Sequence, residues 1–148
     1  MTAMATDSSS TEVTDVVVGD GYAAASVDGL GNEPGFRKIR RALGVTAFGI
    51  NAIVMPPGYE SGAHYHDEQE ETYFVHRGRL EFGFGDGSSL LLGPGGVIRV
   101  DAKTHRKVRN VGDEDAVYVC IGGKDGYVGR DGRMPEGETR AKAGPPGA

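Results

Sequence analysis

The sequence has a single cysteine, Cys120, so no disulfide can form within these 148 residues, and a reducing compartment is expected. Val119 and Ile121 flank it, which marks it as a packed strand residue rather than a nucleophile. Long apolar runs are missing too. None approaches the roughly 20 residues a membrane helix needs, and the polar, acidic N-terminus has no signal-peptide pattern. These absences predict a cytoplasmic protein with no membrane partner. Basic residues are in deficit, with 16 Lys and Arg against 21 Asp and Glu and a formal charge of -5. A nucleic-acid partner wants a basic face, so none is expected. There is no internal repeat and no sign of a second domain.

Turn formers are abundant instead. Twenty-five glycines and seven prolines lie between short apolar runs, the pattern of an all-β fold with many turns. The length suggests one domain over residues 13–134, between flexible tails at 1–12 and 135–148. Val13 to Val18 reads as an edge strand, and Gly19 to Gly35, with five glycines and Pro34, as an irregular covering loop. Phe36 to Leu43 fits a helical spacing at Phe36, Ile39 and Leu43, but its alternating arginines favour a strand. Gly44 to Met55 carries apolar residues on both faces, as a central strand should. Leu80, Phe82 and Phe84 alternate with Glu81 and Gly83 before the hairpin signal Gly85-Asp86-Gly87. Leu90–Leu92, Val97–Val100, Arg106–Val111 and Ala116–Ile121 complete the strands. The Gly93-Pro94-Gly95-Gly96 stretch is a turn rather than a phosphate loop, because no helix follows it.

Chemistry concentrates between Gly58 and Gly78. His64 and His66 are one residue apart, so on an extended strand their imidazoles share a side. Glu71 can return to that side across a short bend. Two imidazoles and a carboxylate suit Fe(II), Mn, Ni, Cu or Zn and leave positions open for water or substrate. An acid-rich surface loop with incidental histidines is the bland alternative. The flanking glycines and apolar strands favour the site. On the strand after Glu71, Tyr73 and Val75 share its face, while Phe74 and His76 point away.

The spacing Gly58, His64-x-His66, Glu71, Gly78 resembles the first motif of the cupin superfamily, and Gly93 to Asn110 resembles the second in part. The likeness spans about residues 45–122. It implies a single antiparallel cupin β-barrel, a jelly roll or double-stranded β-helix with little helix. It also implies a divalent metal (Fe, Mn, Ni, Zn or Cu) inside the barrel on His64, His66 and Glu71, and a homodimer formed by sheet packing.

The second motif departs from the family where its third metal histidine would stand. Four residues before Asn110 lies Arg106, not His105. Face parity agrees: Arg106 shares a side with the apolar Val108, which predicts Arg106 inward and His105 outward. Only a one-residue bulge near 101–103 would make His105 a ligand. An inward guanidinium must pair with Glu71 or Glu70, or grip an anionic ligand beside the metal. Arg106, Tyr73 and Arg99 are therefore the ligand-binding candidates. Two functions follow. One is a mononuclear-metal oxygenase, isomerase or decarboxylase acting on a small oxygenated substrate. The other is a non-catalytic module that binds or senses a small molecule, an anion, through a degenerate metal site.

Overall fold

The computed structural model describes residues 10–137, so residues 1–9 and 138–148 of the expected tails lie outside the described residues. The chain runs through β1 (Val17–Gly19), β2 (Tyr22–Ala24), a 3-10 turn (Val27–Leu30), β3 (Gly35–Arg37), α1 (Ile39–Leu43), β4 (Gly49–Met55) and β5 (Tyr65–His66). It continues through β6 (Glu70–Arg77), β7 (Leu80–Phe84), β8 (Ser89–Leu92), β9 (Val97–Val100), β10 (Arg106–Asn110), β11 (Ala116–Gly123) and β12 (Gly132–Arg133). All the strand pairings are antiparallel.

Two layers face each other as a jelly roll. The larger sheet has the order β3-β4-β11-β6-β9, and its edge strands keep the long apolar strands β4, β11 and β6 central. The other layer is β8-β7-β10, extended past β10 by the segment before β5 and then by β12. Rows across the larger sheet alternate in direction, as the pleat requires. Ala52, Val119, Phe74 and Val97 form one outward row, and Asn51, Cys120, Tyr73 and Ile98 the next row inward. The core between the layers is built from Ile53, Met55, Val75, Leu80, Phe82, Val100, Val108 and Tyr118. Phe82 is fully buried and meets the Tyr73 ring edge-on at 5.4 Å.

Register decides which residues reach the interior, and one bulge sets it. Glu60 pairs with Arg109 and His64 with Arg106, so one strand advances four residues while its partner advances three. The extra residue falls at Ser61-Gly62, where Gly62 takes φ 66° and the Ser61 hydroxyl accepts the Val108 N–H at 2.9 Å. The bulge reverses the parity between Tyr59, which packs on the core, and His64. Both histidines thereby face the interior.

The first forty-odd residues depart from expectation. Only Val17 and Val18 of the expected 13–18 strand pair, and the covering loop supplies Gly19 and the partner β2. Phe36 to Leu43 is not one strand: β3 stops at Arg37, and Ile39–Leu43 is a helical turn closed by Gly44 at φ 72°. The i, i+4 spacing of Ile39 and Leu43 prevailed over the alternation of charges.

Candidate metal and small-molecule site

His64 comes from the bulged segment beside β10, His66 from β5, and Glu71 from the start of β6. One ligand atom from each lies within 4.8 Å of the others. His66 Nε2 is 3.0 Å from Glu71 Oε1, and His64 Nε2 is 3.9 Å from the same oxygen. The two imidazoles sit edge to face at 5.4 Å. Glu71 fits because Gly122 stands opposite it: a Cβ there would collide with the Gln69 side chain and crowd Glu71.

A buried network holds the carboxylate. The Tyr73 hydroxyl donates to Glu71 Oε1 at 2.6 Å, and Arg106 Nη2 donates to the same oxygen at 2.8 Å. The Cys120 thiol donates to Oε2 at 3.1 Å. Burial alone would push the Glu71 carboxyl up. The imidazoles of His64 and His66 beside it and the Tyr73 hydrogen bond outweigh it and hold the group well below the usual carboxylate range. The Tyr73 hydroxyl and the Cys120 thiol shift the other way, raised first by burial and then by neighbouring negative charge.

Arg106 has no exposed side-chain surface. Its Nε donates to the Tyr73 oxygen at 3.2 Å, and its Nη1 to the carbonyls of Thr104 at 2.7 Å and Ala102 at 3.1 Å. Those bonds, with the one to Glu71, occupy the guanidinium from behind the site. Arg106 therefore lies inward, as parity required, but it does not line the cavity and touches a ligand only through Glu71 and Tyr73. Arg99 is also placed elsewhere than expected. It projects from the outer face of β9, with 64% of its side chain exposed, beside Asp101 and Glu70. His105 faces outward and stacks on Tyr65 at 4.6 Å, apart from the metal-type cluster.

Sequence reasoning missed Asp131. The chain after β11 returns to the barrel, and β12 pairs with β5 so that Gly132 opposes His66. Asp131 Oδ1 then lies 2.8 Å from His66 Nδ1, and its Oδ2 accepts the N–H groups of Glu68 and Gln69 at 2.9 Å each. The Gln69 amide also donates to Asp131. Those backbone and side-chain donors overcome burial and hold the Asp131 carboxyl low, so it accepts and His66 Nδ1 must carry the proton. His66 Nε2 is aimed at Glu71 Oε1, 3.0 Å away, and donates to it unless a metal takes its lone pair. Burial works to lower the His66 pKa, but its bonds to Glu71 and Asp131 raise it overall. No local pattern marked Asp131, which sits in a glycine-rich, mixed-charge stretch 65 residues beyond its partner.

The donor chemistry fits a borderline divalent ion: two imidazole nitrogens, one of them oriented by a carboxylate, and one ionised glutamate. The site lines a cavity of about 780 Å³. Its walls include Ile53, Met55, Tyr59 and Tyr118.

Residues 52–122 match the cupin-domain family model, which makes this stretch a cupin barrel. The chain is 34% identical over 77 residues to a protein called polyketide synthase CurC from Streptomyces cyaneus, covering 52% of this chain and 49% of that one. It thus spans about half the length of the curated relative it matches. A suggested sugar phosphate isomerase from Acidithiobacillus ferrooxidans superposes with a TM-score of 0.54 at 26% identity, over 59% of this chain and 56% of that one. The crystal structures of the DMSP lyases RdDddP and RnDddQII give 0.53 at 25% identity, over 60% and 44%.

Proposed function

We propose that the chain is a small metal-dependent enzyme that isomerises, oxidises or cleaves an oxygen-bearing organic molecule. The convergence of His64, His66 and Glu71 in the lining of a large cavity carries this reading. A divalent ion on those residues would polarise a substrate oxygen as a Lewis acid. The rest is done by the chain. Tyr73 and Arg106 fix the carboxylate, Asp131 fixes the His66 ring, and His64, 30% exposed at its side chain, stands open to the cavity. The isomerase and lyase names among the similar structures, and the polyketide synthase name of the curated relative, support chemistry on carbonyl or hydroxyl carbon. Metal analysis of untagged protein, before and after chelation, tests the proposal. A substoichiometric content that no added Fe(II), Mn, Ni, Cu or Zn restores would overturn it.

A second reading is a non-catalytic module for a small anion. Two observations favour it: Arg106 already neutralises Glu71, and Arg130 and Arg133 stand along the cavity. Tight anion binding by protein that takes up no metal would select it. In either case we propose one folded unit over residues 13–134, a cytoplasmic setting that suits the free Cys120, and a homodimer. The dimer would cover the outer sheet face, where Phe74, Val97 and Ile121 are 40%, 63% and 38% exposed.

A further inference from the structure

The cavity is much larger than the cluster of His64, His66 and Glu71 in its lining. A volume of about 780 Å³ lies in the upper part of the roughly 300–1,000 Å³ range of sites for drug-sized ligands. A two- or three-carbon acid placed on His64, His66 and Glu71 would leave most of that space to water. The space is not lined for water. Ile53, Met55 and Tyr118 of the core and Tyr59, packed against it, line it beside those three residues.

The mouth continues the same character. Phe36, Tyr127 and Met134 line the cavity and are 64%, 45% and 51% exposed. Large apolar side chains kept in water beside a cavity have a cost unless something covers them. Each has a reason to stay in place. Phe36 sits on β3 in register with Ile53, on the inward side of the sheet. Tyr127 is held by the Arg40 guanidinium 3.9 Å over its ring. Met134 directly follows β12, which is pinned to β5. The rim is therefore a fixed surface, built from chain segments on either side of residues 52–122, the stretch that the cupin-domain match covers.

We propose that the cavity takes a flat, aromatic-sized substrate whose oxygen-bearing end reaches His64, His66 and Glu71 while its apolar body lies against Phe36, Tyr127 and Met134. This rests on the metal-dependent reading for the oxygen-bearing end, whereas the body depends on the apolar walls alone. Arg130 and Arg133 in the same lining would meet any acidic end, so the three apolar side chains select for the apolar body over small hydrophilic acids and sugars that lack one. These gain nothing from burying the three side chains and would leave them wet.

Two probes with the same hydroxy-carboxylate end and different bodies test the idea: 1-hydroxy-2-naphthoate and glycolate. Titration calorimetry on the full chain, with and without added Mn(II), gives four affinities, and Mn(II) binding alone is followed by its electron-spin resonance. The naphthoate should bind at least about ten-fold more tightly than glycolate, an aromatic contact plus buried ring area being sufficient for that factor. Phe36→Ala with Met134→Ala should lower naphthoate affinity about ten-fold and leave glycolate unchanged, while Phe36→Trp should keep it. Both replaced side chains are half or more exposed, so melting curves should superpose on the wild type. Glycolate binding as tightly as the naphthoate, or a double variant without effect, overturns the proposal. The two readings separate cleanly. Rim-dependent naphthoate binding with no Mn(II) uptake keeps the apolar pocket and removes the metal, and Mn(II) uptake with no preference between probes does the reverse.

Discussion

Asp131 Oδ1 lies 2.8 Å from Nδ1 of His66 and, by accepting its proton, aims Nε2 at Glu71. The two residues are 65 positions apart, and only the return of β12 onto β5 brings them together. An orienting carboxylate of this kind is worth about 10–100-fold in metal affinity. Asp131→Asn should weaken Mn(II) or Zn(II) binding by that factor without moving the fold. The amide can turn its oxygen to His66 but carries no charge. In the metal-loaded protein the ring nitrogen shifts of His66 should lose their single Nδ1–H pattern at the same time. Unchanged affinity would reduce Asp131 to a clasp for the C-terminal segment.

Acid and alkali should both destabilise the metal-free protein. Glu71 and Asp131 have folded pKa values below their unfolded ones, so the stability they add is present above about pH 4 and is lost as pH falls further. His66 has a raised folded pKa. Its contribution is full below about 6.5 and is lost as pH rises through the folded value. Cys120, raised by burial, subtracts further once an unfolded thiol would ionise, near pH 8.5. Denaturation midpoints measured in a chelator should peak between roughly pH 4.5 and 6.5. A midpoint that climbs from pH 6.5 to 8 would contradict the His66 network.

Much of this was legible in sequence, and the reasons are local. Period-two alternation placed Glu71, Tyr73 and Val75 on one face and Phe74 and His76 on the other, and burial follows that division. The same parity put Arg106 inside and His105 outside. A bulge does occur, but on the partner strand at Ser61-Gly62, where it serves the histidines. Parity says which way a side chain points and not what it meets. Arg106 therefore passed for a ligand contact, although its donors are taken by Glu71, Tyr73 and two backbone carbonyls. Arg99 looked near the site because its strand is; its odd-even position sends it outward beside Val97. Asp131 and the β1–β2 hairpin carry almost no periodic signal, being three residues or fewer per strand.

The Arg106–Glu71 pair should separate stability from metal binding. Removing one partner of a buried ion pair costs about 3–5 kcal/mol, so Arg106→Ala should lower the unfolding free energy by that amount. Arg106→His places an imidazole where the guanidinium stood and frees Glu71 from its counter-charge. Metal affinity should then rise, by roughly the 10–100-fold that one well-placed partner is worth. His105→Ala should leave it unchanged, since that ring stacks on Tyr65 outside the cluster. Loss of metal binding in His105→Ala would mean that the strand is shifted by one residue.

The outer face of the larger sheet gives the last prediction. Ala52, Val119, Phe74 and Val97 form one cross-strand row, with Ile50 and Ile121 in the row beside it. Phe74 and Val97 are 40% and 63% exposed at the sheet edge that ends in β9. A sheet face of this kind pairs with its own copy about a two-fold axis, where each apolar row meets its mate. A stable contact needs on the order of 800 Å² from each partner, and Phe74 and Val97 are the large apolar side chains this edge offers to it. Light scattering should therefore show a dimer at micromolar concentration. Phe74→Asp should convert it to a monomer, because two carboxylates would be buried across the axis without partners. Its own fold should survive, since the side chain is already partly in water. His76→Ala, farther along the same face of β6, should leave the dimer intact. A wild-type monomer at every concentration, or a Phe74→Asp dimer, would show that the apolar face serves something else.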